Sequence, residues 1–358
     1  MARIGLGEGW RCGFANDFDP VKAATYRANF ADAATHFHEG DVWALSADDL
    51  PGCADLAWAS SPCQDFSLAG ARAGLAGGRS SAFFGFWRLV EALGDAGRAP
   101  RLIVIENVTG LLTSNGGADF AALGAALAAR GYRFGALEID ASTLLPQSRP
   151  RVFVVAARDA PPGLTGEGAF HTRAVRAAHA ALSETVAANW VWWRLPAPPH
   201  RNTDLAALLE PDEAVAWHPP EKTARLLELM APLHRARITA CSDRAVGAVF
   251  RRTRLENGLS AQRAEVRFDG LAGCLRTPRG GSSRQAVVVI ADGHVRSRLL
   301  TPREAARLMG LPDSYRLPAT ATAALHVTGD GVAVPVVRWL AQELLEPLLN
   351  PAAAMAAE

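Results

Sequence analysis

Pro62-Cys63-Gln64 closes the apolar run Leu56-Ala57-Trp58-Ala59-Ser60-Ser61, which places a thiol at the carboxyl end of a predicted strand. In open α/β sheets that end is where ligands bind and chemistry is done. Pro62 lacks an N–H and fixes φ, so the strand stops there and Cys63 is presented on a rigid turn. A second strand-like run, Arg101–Ile105, delivers Glu106-Asn107-Val108 at its own end. Further on, Pro146-Gln147-Ser148-Arg149-Pro150-Arg151 leads into the β run Val152–Ala157. A nucleophile, a carboxylate and two arginines, each beside a strand, have the parts for covalent catalysis with charge stabilisation. Singly each has an ordinary alternative: a cysteine packs as a small hydrophobe, a glutamate caps a helix, and arginines sit solvated on an edge strand. Their joint occurrence argues for a site.

The elements that position these residues alternate short β runs with helical stretches, such as Phe83–Leu93 and Phe120–Gly131, as far as about Asp159. That pattern predicts a doubly wound α/β domain with a mainly parallel sheet. Pro161-Pro162-Gly163 and Gly166-Glu167-Gly168 read as a hinge. A less regular region follows, with Trp190, Trp192 and Trp193 and then prolines from Pro196 to Pro199. Glu221–Leu233 reads as a helix. Val266–Phe268, Ala272–Leu275 and Ala286–Ile290 read as short strands, with Asp292-Gly293 as a hairpin turn.

The order of motifs resembles the cytosine-C5 DNA methyltransferases. Ser61-Pro62-Cys63-Gln64-Asp65-Phe66-Ser67 matches the family's nucleophile loop, Glu106-Asn107-Val108 its Glu-Asn-Val motif, and Gln147, Arg149 and Arg151 its Gln-x-Arg-x-Arg motif. Thr301–Gly310 looks like the family's Arg-Glu-x-Ala-Arg-x-x-Gly helix, followed by Pro312-Asp313-Ser314-Tyr315. The likeness is weakest from about Pro161 to Leu271. It implies a Rossmann-like domain that transfers methyl from S-adenosylmethionine to carbon 5 of a cytosine flipped out of double-stranded DNA. Cys63 would add to carbon 6, Glu106 would stabilise charge at the Watson–Crick edge, and Arg149 and Arg151 would orient that carboxylate and hold the base. The glycine-rich stretch from Gln64 to Ser81 would close over the base, with Gln64, Ser67, Arg79, Ser80 and Gln147 on the DNA side.

On the cofactor side, Trp10–Ala15 reads as a strand ending at Asn16-Asp17-Phe18. The resemblance puts Asp17 on the ribose diol, Phe18 against the adenine, and Asp41 with Val42 near the adenine amino group. Ser60 and Pro62 complete that side. Val327–Pro335 resembles the family's Gly-Asn-x-Val segment, so Asp330, Gly331 and Val332 join the cofactor set, with Asp330 standing where asparagine is usual. Family members open with a strand and a Phe-x-Gly-x-Gly loop, whereas Met1–Trp10 looks like the helix and glycine cap that follow it. The expectation is a chain that begins late. Gly5-Leu6-Gly7-Glu8-Gly9 mimics a dinucleotide fingerprint without the strand that the motif requires.

At 358 residues, 49% hydrophobic and 20% charged, the chain suits a globular protein of two domains. The expected division is residues 1–165 with 298–349 for catalysis, a smaller, mostly β or irregular target-recognition domain at 166–297, and a flexible tail at 350–358. The five cysteines have an odd count and no metal-like spacing, which points to reduced thiols in the cytoplasm and no metal centre. No apolar run is long enough for a membrane span, and no signal peptide is evident. Net charge is only +1, but Arg225, Arg235, Arg237, Arg244, Arg251, Arg252, Arg254, Arg263, Arg267, Arg276, Arg279 and Arg284 crowd one region. Arginine-weighted surface suits phosphate and guanine. Within it, Arg276, Arg279, Arg284 and Gln285 are the candidates for reading bases. The expected partners are double-stranded DNA and a cognate restriction endonuclease, with the enzyme a monomer and no membrane involved. Competing readings are a non-catalytic DNA-binding remnant, if the first cofactor loop is lost, and a tRNA cytosine-C5 methyltransferase. A thiol-redox protein is disfavoured because no second cysteine lies near Cys63.

Overall fold

The computed structural model describes residues 1–60, 82–241, 243–256, 258–276 and 284–350. Cys63, Pro62, Gln64, Ser67, Arg79, Ser80 and Arg279 lie outside the described residues. Two compact units emerge. The first comprises Arg3–Asp140, Pro150–Ala197 and the chain from Val336 on; the second comprises Met1–Ala2, Ala141–Arg149 and Pro198–Pro335.

The first unit begins with helix α1 (Ala2–Leu6), ended by Gly7 at φ 84°, a left-handed conformation that glycine adopts without strain. The expected helix with its glycine cap is present. Strand β1 (Ala15–Asp17) is shorter and later than the sequence suggested. Helix α2 (Pro20–Asn29) starts where Asp19 accepts the N–H groups of Val21 and Lys22, with Pro20 at its first position. Strand β2 (Phe37–Glu39) pairs parallel with β1. Next come β3 (Leu56–Ala59), α3 (Ala82–Asp95), β4 (Leu102–Asn107), α4 (Ala118–Ala129), β5 (Arg133–Asp140) and β6 (Pro150–Ala157). These strands form a sheet in the order β3-β4-β6-β5.

β3 and β4 are parallel, but β6 lies antiparallel between β4 and β5. The sheet is therefore mixed rather than mainly parallel. The short return from β5 to β6 leaves no crossover helix, so the two strands can pair only antiparallel. Phe83, Trp87 and Val90 of α3 and Phe120, Leu123 and Leu127 of α4 pack with Ile103, Ile105, Val152 and Val154 in one apolar core. Ile103, Val104 and Ile105 are fully buried, as their continuous apolar run requires of a central strand.

Helices α5 (Arg173–Ala180) and α6 (Glu184–Ala187) follow. The tryptophan segment then lies along β5: Val191 N–H donates to Phe134 O, Phe134 N–H to Asn189 O, and Trp193 Nε1 to Val155 O at 2.9 Å. Gly135 makes this approach possible, because a Cβ there would stand 1.9 Å from Val191 O. Residues 166–197 consequently belong to the α/β unit, whereas the sequence reading groups them with target recognition.

The second unit carries the short helix α7 (Leu205–Leu208), then α8 (Pro220–Glu228) and α9 (Pro232–Thr239), broken where one helix was expected because Pro232 cannot continue the first. Strands β7 (Ala245–Glu256), β8 (Leu259–Arg267), β9 (Ala286–Ala291) and β10 (His294–Leu299) form an antiparallel sheet ordered β10-β9-β7-β8. Asp292 and Gly293 have φ of 51° and 73°, the type I′ geometry expected of that hairpin. Ala272 makes only an isolated bridge, to Gln147, instead of the expected strand. Leu226, Met230 and Ile238 cover Val249, Ala264, Val266 and Val288 in a second core. Helix α10 (Pro302–Leu308) has a full capping box between Thr301 and Glu304, and α11 (Ala321–Asp330) follows. From Val336 on the chain belongs again to the first unit, where α12 (Val334–Leu340) runs through a π turn into α13 (Glu346–Leu349). Among the described residues no helix is long and apolar enough to cross a membrane.

Candidate active site

Glu106 is the penultimate residue of β4 and stands opposite Phe153 of β6. Arg151 lies two residues from Phe153 on the same strand. Side chains alternate along a strand, so Arg151 projects from the face that carries Glu106, one step along the diagonal. Arg151 Nε meets Glu106 Oε1 at 3.2 Å, with the two side chains 16% and 8% exposed. Arg151 also donates to its neighbour, Pro150 O, at 2.8 Å. The antiparallel insertion of β6 beside β4 thus brings together two residues 45 positions apart. A carboxylate held by guanidinium at the mouth of a strand can accept a proton or stabilise a cation while its charge stays buried.

Arg149 and Gln147, two and four residues earlier, do something different. Arg149 is 2% exposed, and its guanidinium reaches Leu275 O at 2.9 Å, Gly329 O at 2.9 Å and Gly331 O at 2.6 Å. Gln147 is fully buried; its amide donates to Leu308 O at 2.7 Å and accepts from Leu275 N–H at 3.1 Å. Leu275 therefore has its backbone donor and acceptor held by two side chains of one motif. The sequence reading gives Gln147 to DNA and Arg149 to catalysis; the observed bonds make both brackets for the backbone of the second unit. Buried polar groups must be paired, and these carbonyls from three remote segments are the partners.

The parallel strands β1 and β2 of the α/β unit finish side by side. Asn16 Nδ2 donates to His38 O at 3.1 Å and to Gly40 O at 2.9 Å, and Gly40 N–H donates to Asp17 O. Sequence reasoning missed Asn16; its only signal was a carboxamide beside the acidic strand end. This clasp places Asp17-Phe18 next to Gly40-Asp41-Val42. Asp17 accepts Asp19 N–H at 2.9 Å, and burial raises its carboxyl above the usual range. Phe18 is 71% exposed. Asp41 caps the turn Val42–Ala44 by accepting Trp43 N–H at 3.0 Å, and Val42 packs over Gly85 of α3. Ser60 is exposed and accepts Trp58 Nε1 at 2.9 Å.

In the second unit, Asp330 ends α11 and is exposed, Gly331 packs on the Met1 side chain, and Val332 is buried. Arg276 is exposed and Arg284 half-buried. Gln285, a candidate for reading bases, turns its side chain onto the backbone of its own unit. Its amide is closed on Gly273, accepting the N–H at 2.9 Å and donating to the carbonyl at 2.8 Å, in a site 8% exposed.

The sequence profile of the C-5 cytosine-specific DNA methylases matches residues 2–346. The chain is 28% identical over 338 residues to the type II methyltransferase M.DsaV of Dactylococcopsis salina, covering 94% of this chain and 80% of that protein. It is 26% identical to M.NlaX of Neisseria lactamica, covering 93% and 88%. A Spodoptera frugiperda DNMT2 structure superposes with a TM-score of 0.60 at 18% identity, covering 98% of this chain and 95% of that one. A putative DNA modification methyltransferase from an E. coli prophage gives 0.54 at 19%, covering 98% and 95%. With a Rossmann-like α/β unit, a carboxylate–arginine pair at its strand ends and a match over nearly its whole length, this chain belongs to the C-5 cytosine-specific DNA methylase family. It is an S-adenosylmethionine-dependent cytosine-C5 methyltransferase.

The residues at the β1 and β2 ends fit that cofactor. One oxygen of Asp17 takes a backbone N–H, and a carboxylate has further lone pairs for two ribose hydroxyls. Phe18 offers an open aromatic face to adenine.

Proposed function

We propose that this chain methylates carbon 5 of a cytosine flipped out of double-stranded DNA, as a modification enzyme of the type II kind. The α/β unit and residues 298–335 carry the chemistry and the cofactor, and target recognition falls within residues 198–297. The observation that bears most weight is the Glu106–Arg151 pair at adjoining strand ends. Cys63 supplies the nucleophile: its thiolate forms a bond to carbon 6, and the ring's electron pair moves to carbon 5. Glu106 meets the N3 edge and stabilises the charge that this addition creates, and Arg151 keeps Glu106 aimed and holds the carbonyl oxygen. S-adenosylmethionine supplies an electrophilic methyl when bound. Carbon 5 would take that methyl as its bond to the cofactor's sulfonium sulfur breaks and a thioether leaves; carbon 5 then gives up its proton to base, and the bond between carbon 6 and the Cys63 sulfur breaks to release the thiolate. Asp17, Phe18, Asp41, Val42, Ser60, Pro62, Asp330, Gly331 and Val332 form the cofactor set. A restriction endonuclease cutting the same DNA site is the natural companion of such an enzyme.

The test is transfer of labelled methyl to mixed-sequence duplex DNA and, in parallel, to tRNA. Incorporation into duplex that disappears in Cys63→Ala supports the proposal. Incorporation into tRNA alone, or transfer that survives in Cys63→Ala, overturns it.

A further inference from the structure

The turn Val42–Ala44 carries the Asp41-Val42 edge of the cofactor set, and none of its residues is fully buried. Apolar packing therefore does little to hold it. Asp41 closes the turn from within: its carboxylate accepts Trp43 N–H at 3.0 Å, and its carbonyl accepts Ala44 N–H at 2.9 Å. Those bonds fix the shape of the turn but not its place. The carbonyls that they leave over need partners from elsewhere, and helix α3 provides them.

Arg88 of α3 donates through Nη2 to Leu45 O and, at 3.4 Å, to Trp43 O. Its guanidinium carbon stands 5.7 Å from the centre of the Trp43 ring. Arg88 Nε is buried with no partner among the described residues, a cost the side chain bears in reaching those carbonyls. Gly85 lies one turn back on the same face of the helix. A Cβ there would stand 2.5 Å from Val42 Cγ1, so any other residue must push Val42 away. Glycine is a poor helix former beside alanine, and this close approach accounts for its place inside α3. The opposite face, with Phe83, Trp87 and Val90, is packed in the core, which fixes the helix against the sheet. Beyond the end of α3, Arg98 donates to Ala47 O at 2.6 Å, Leu50 O at 2.7 Å and Gly52 O at 3.1 Å. A second guanidinium thus fastens the far end of the same loop, away from Asp41.

We propose that Gly85 and Arg88 form a seat that positions the adenine edge of the cofactor site; the inference rests on the cofactor reading of Asp41 and Val42 above. Arg88 holds the carbonyls of the turn and Gly85 admits Val42, so that Asp41-Val42 stands beside Asp17-Phe18. Neither residue touches the cofactor; Arg88 is a positioning residue that acts through the turn. Charge-assisted bonds to carbonyls are stronger than neutral ones, and a turn already held in place spares the ligand the cost of ordering it.

The experiment measures binding of S-adenosylhomocysteine to the full chain by calorimetry, with melting temperature and steady-state methyl transfer recorded alongside. Arg88→Met should weaken binding about tenfold. It should raise KM for S-adenosylmethionine by a similar factor and keep kcat within about twofold, since the lost positioning serves ground state and transition state alike. Gly85→Ala should also weaken binding while keeping or raising the melting temperature, because alanine favours the helix. Arg98→Met should lower the melting temperature and leave the affinity unchanged. Asp41→Ala tests the cofactor reading itself. If Asp41→Ala weakens binding but Arg88→Met and Gly85→Ala do not, the seat is overturned and the cofactor reading stands. If Asp41→Ala has no effect, or the parent chain does not bind S-adenosylhomocysteine, the cofactor reading fails and the seat with it. Equal losses of affinity in Arg88→Met and Arg98→Met assign both arginines to folding alone and also overturn the proposal.

Discussion

Glu304 in the second unit and Glu106 in the first both meet an arginine, yet their surroundings differ. Glu304 and Arg298 are each 1% exposed and bonded by both guanidinium nitrogens, at 2.6 and 2.8 Å. The same carboxylate accepts Thr301 N–H at 2.9 Å and Glu210 N–H at 2.8 Å. It ties the end of β10, the start of α10 and the Glu210 loop together, and it is closed to any ligand. Glu106 meets Arg151 Nε at 3.2 Å, and the two side chains keep 8% and 16% of their surface exposed. A motif glutamate beside an arginine is therefore not a site in itself. Access is what separates a carboxylate that holds a fold from one that can meet a substrate.

Substitution should separate the two pairs. Arg298→Met leaves Glu304 charged and sealed from water, which should cost about 3–5 kcal/mol of unfolding free energy in a urea titration. Adding Glu304→Gln should recover part of that loss, since the amide oxygen still accepts an N–H while the stranded charge is gone. If Arg298→Met unfolds at the parent midpoint, the pair is not the fastening described. Glu106→Gln should behave in the opposite way. Shape and an acceptor for Arg151 are kept, so stability should change by less than about 1.5 kcal/mol, while the methyl-transfer rate should fall about 10²-fold or more. A variant that loses stability and rate together would place Glu106 with Glu304.

The contrast also explains what the sequence made legible. Glu106 and Arg151 could be placed beside their strands because residues at the ends of apolar runs keep their local signature whatever the rest of the chain does. The helix ending at Gly7 and the Asp292-Gly293 turn were readable for the same reason: φ > 0 is a local demand. Gln147, Arg149 and Gln285 carry equally polar side chains, but their partners are backbone groups that the fold brings in. Leu275 is 126 positions from Arg149, and Gly331 is 182 away. No local pattern announces such a partner. β7 was hidden differently. Its outer half, Arg251-Arg252-Thr253-Arg254, lacks the apolar alternation that marks a half-buried strand. The mixed sheet order was equally out of reach, since the place of β6 between β4 and β5 is a long-range choice.

Asp17 offers the smallest and most diagnostic version of the same comparison. Like Glu304 it is a carboxylate drawn out of water, but its donors are the backbone N–H groups of Asp19 and Phe18 in place of a guanidinium fork. Burial raises its pKa above the unfolded value, outweighing the Asp19 N–H and the charge of Lys22, which pull it down. The sign follows from linkage. The folded state holds this proton more tightly than the unfolded chain, so Asp17 favours folding when protonated, below the ordinary carboxylate range. That contribution is lost as pH rises through the raised folded value, leaving an ionised, partly desolvated group at neutral pH. Asp17→Asn should therefore raise the melting temperature at pH 7, and the gain should shrink as the buffer is taken down through the carboxylate range. The same substitution should weaken S-adenosylmethionine binding, because an amide presents one acceptor oxygen to the ribose diol where a carboxylate presents two. Calorimetry at several pH values, with and without cofactor, reads both effects. A melting temperature lowered at neutral pH would show that Asp17 is held for the fold, as Glu304 is. A stabilised variant with poor cofactor affinity would show a carboxylate kept at some expense of stability for what it binds.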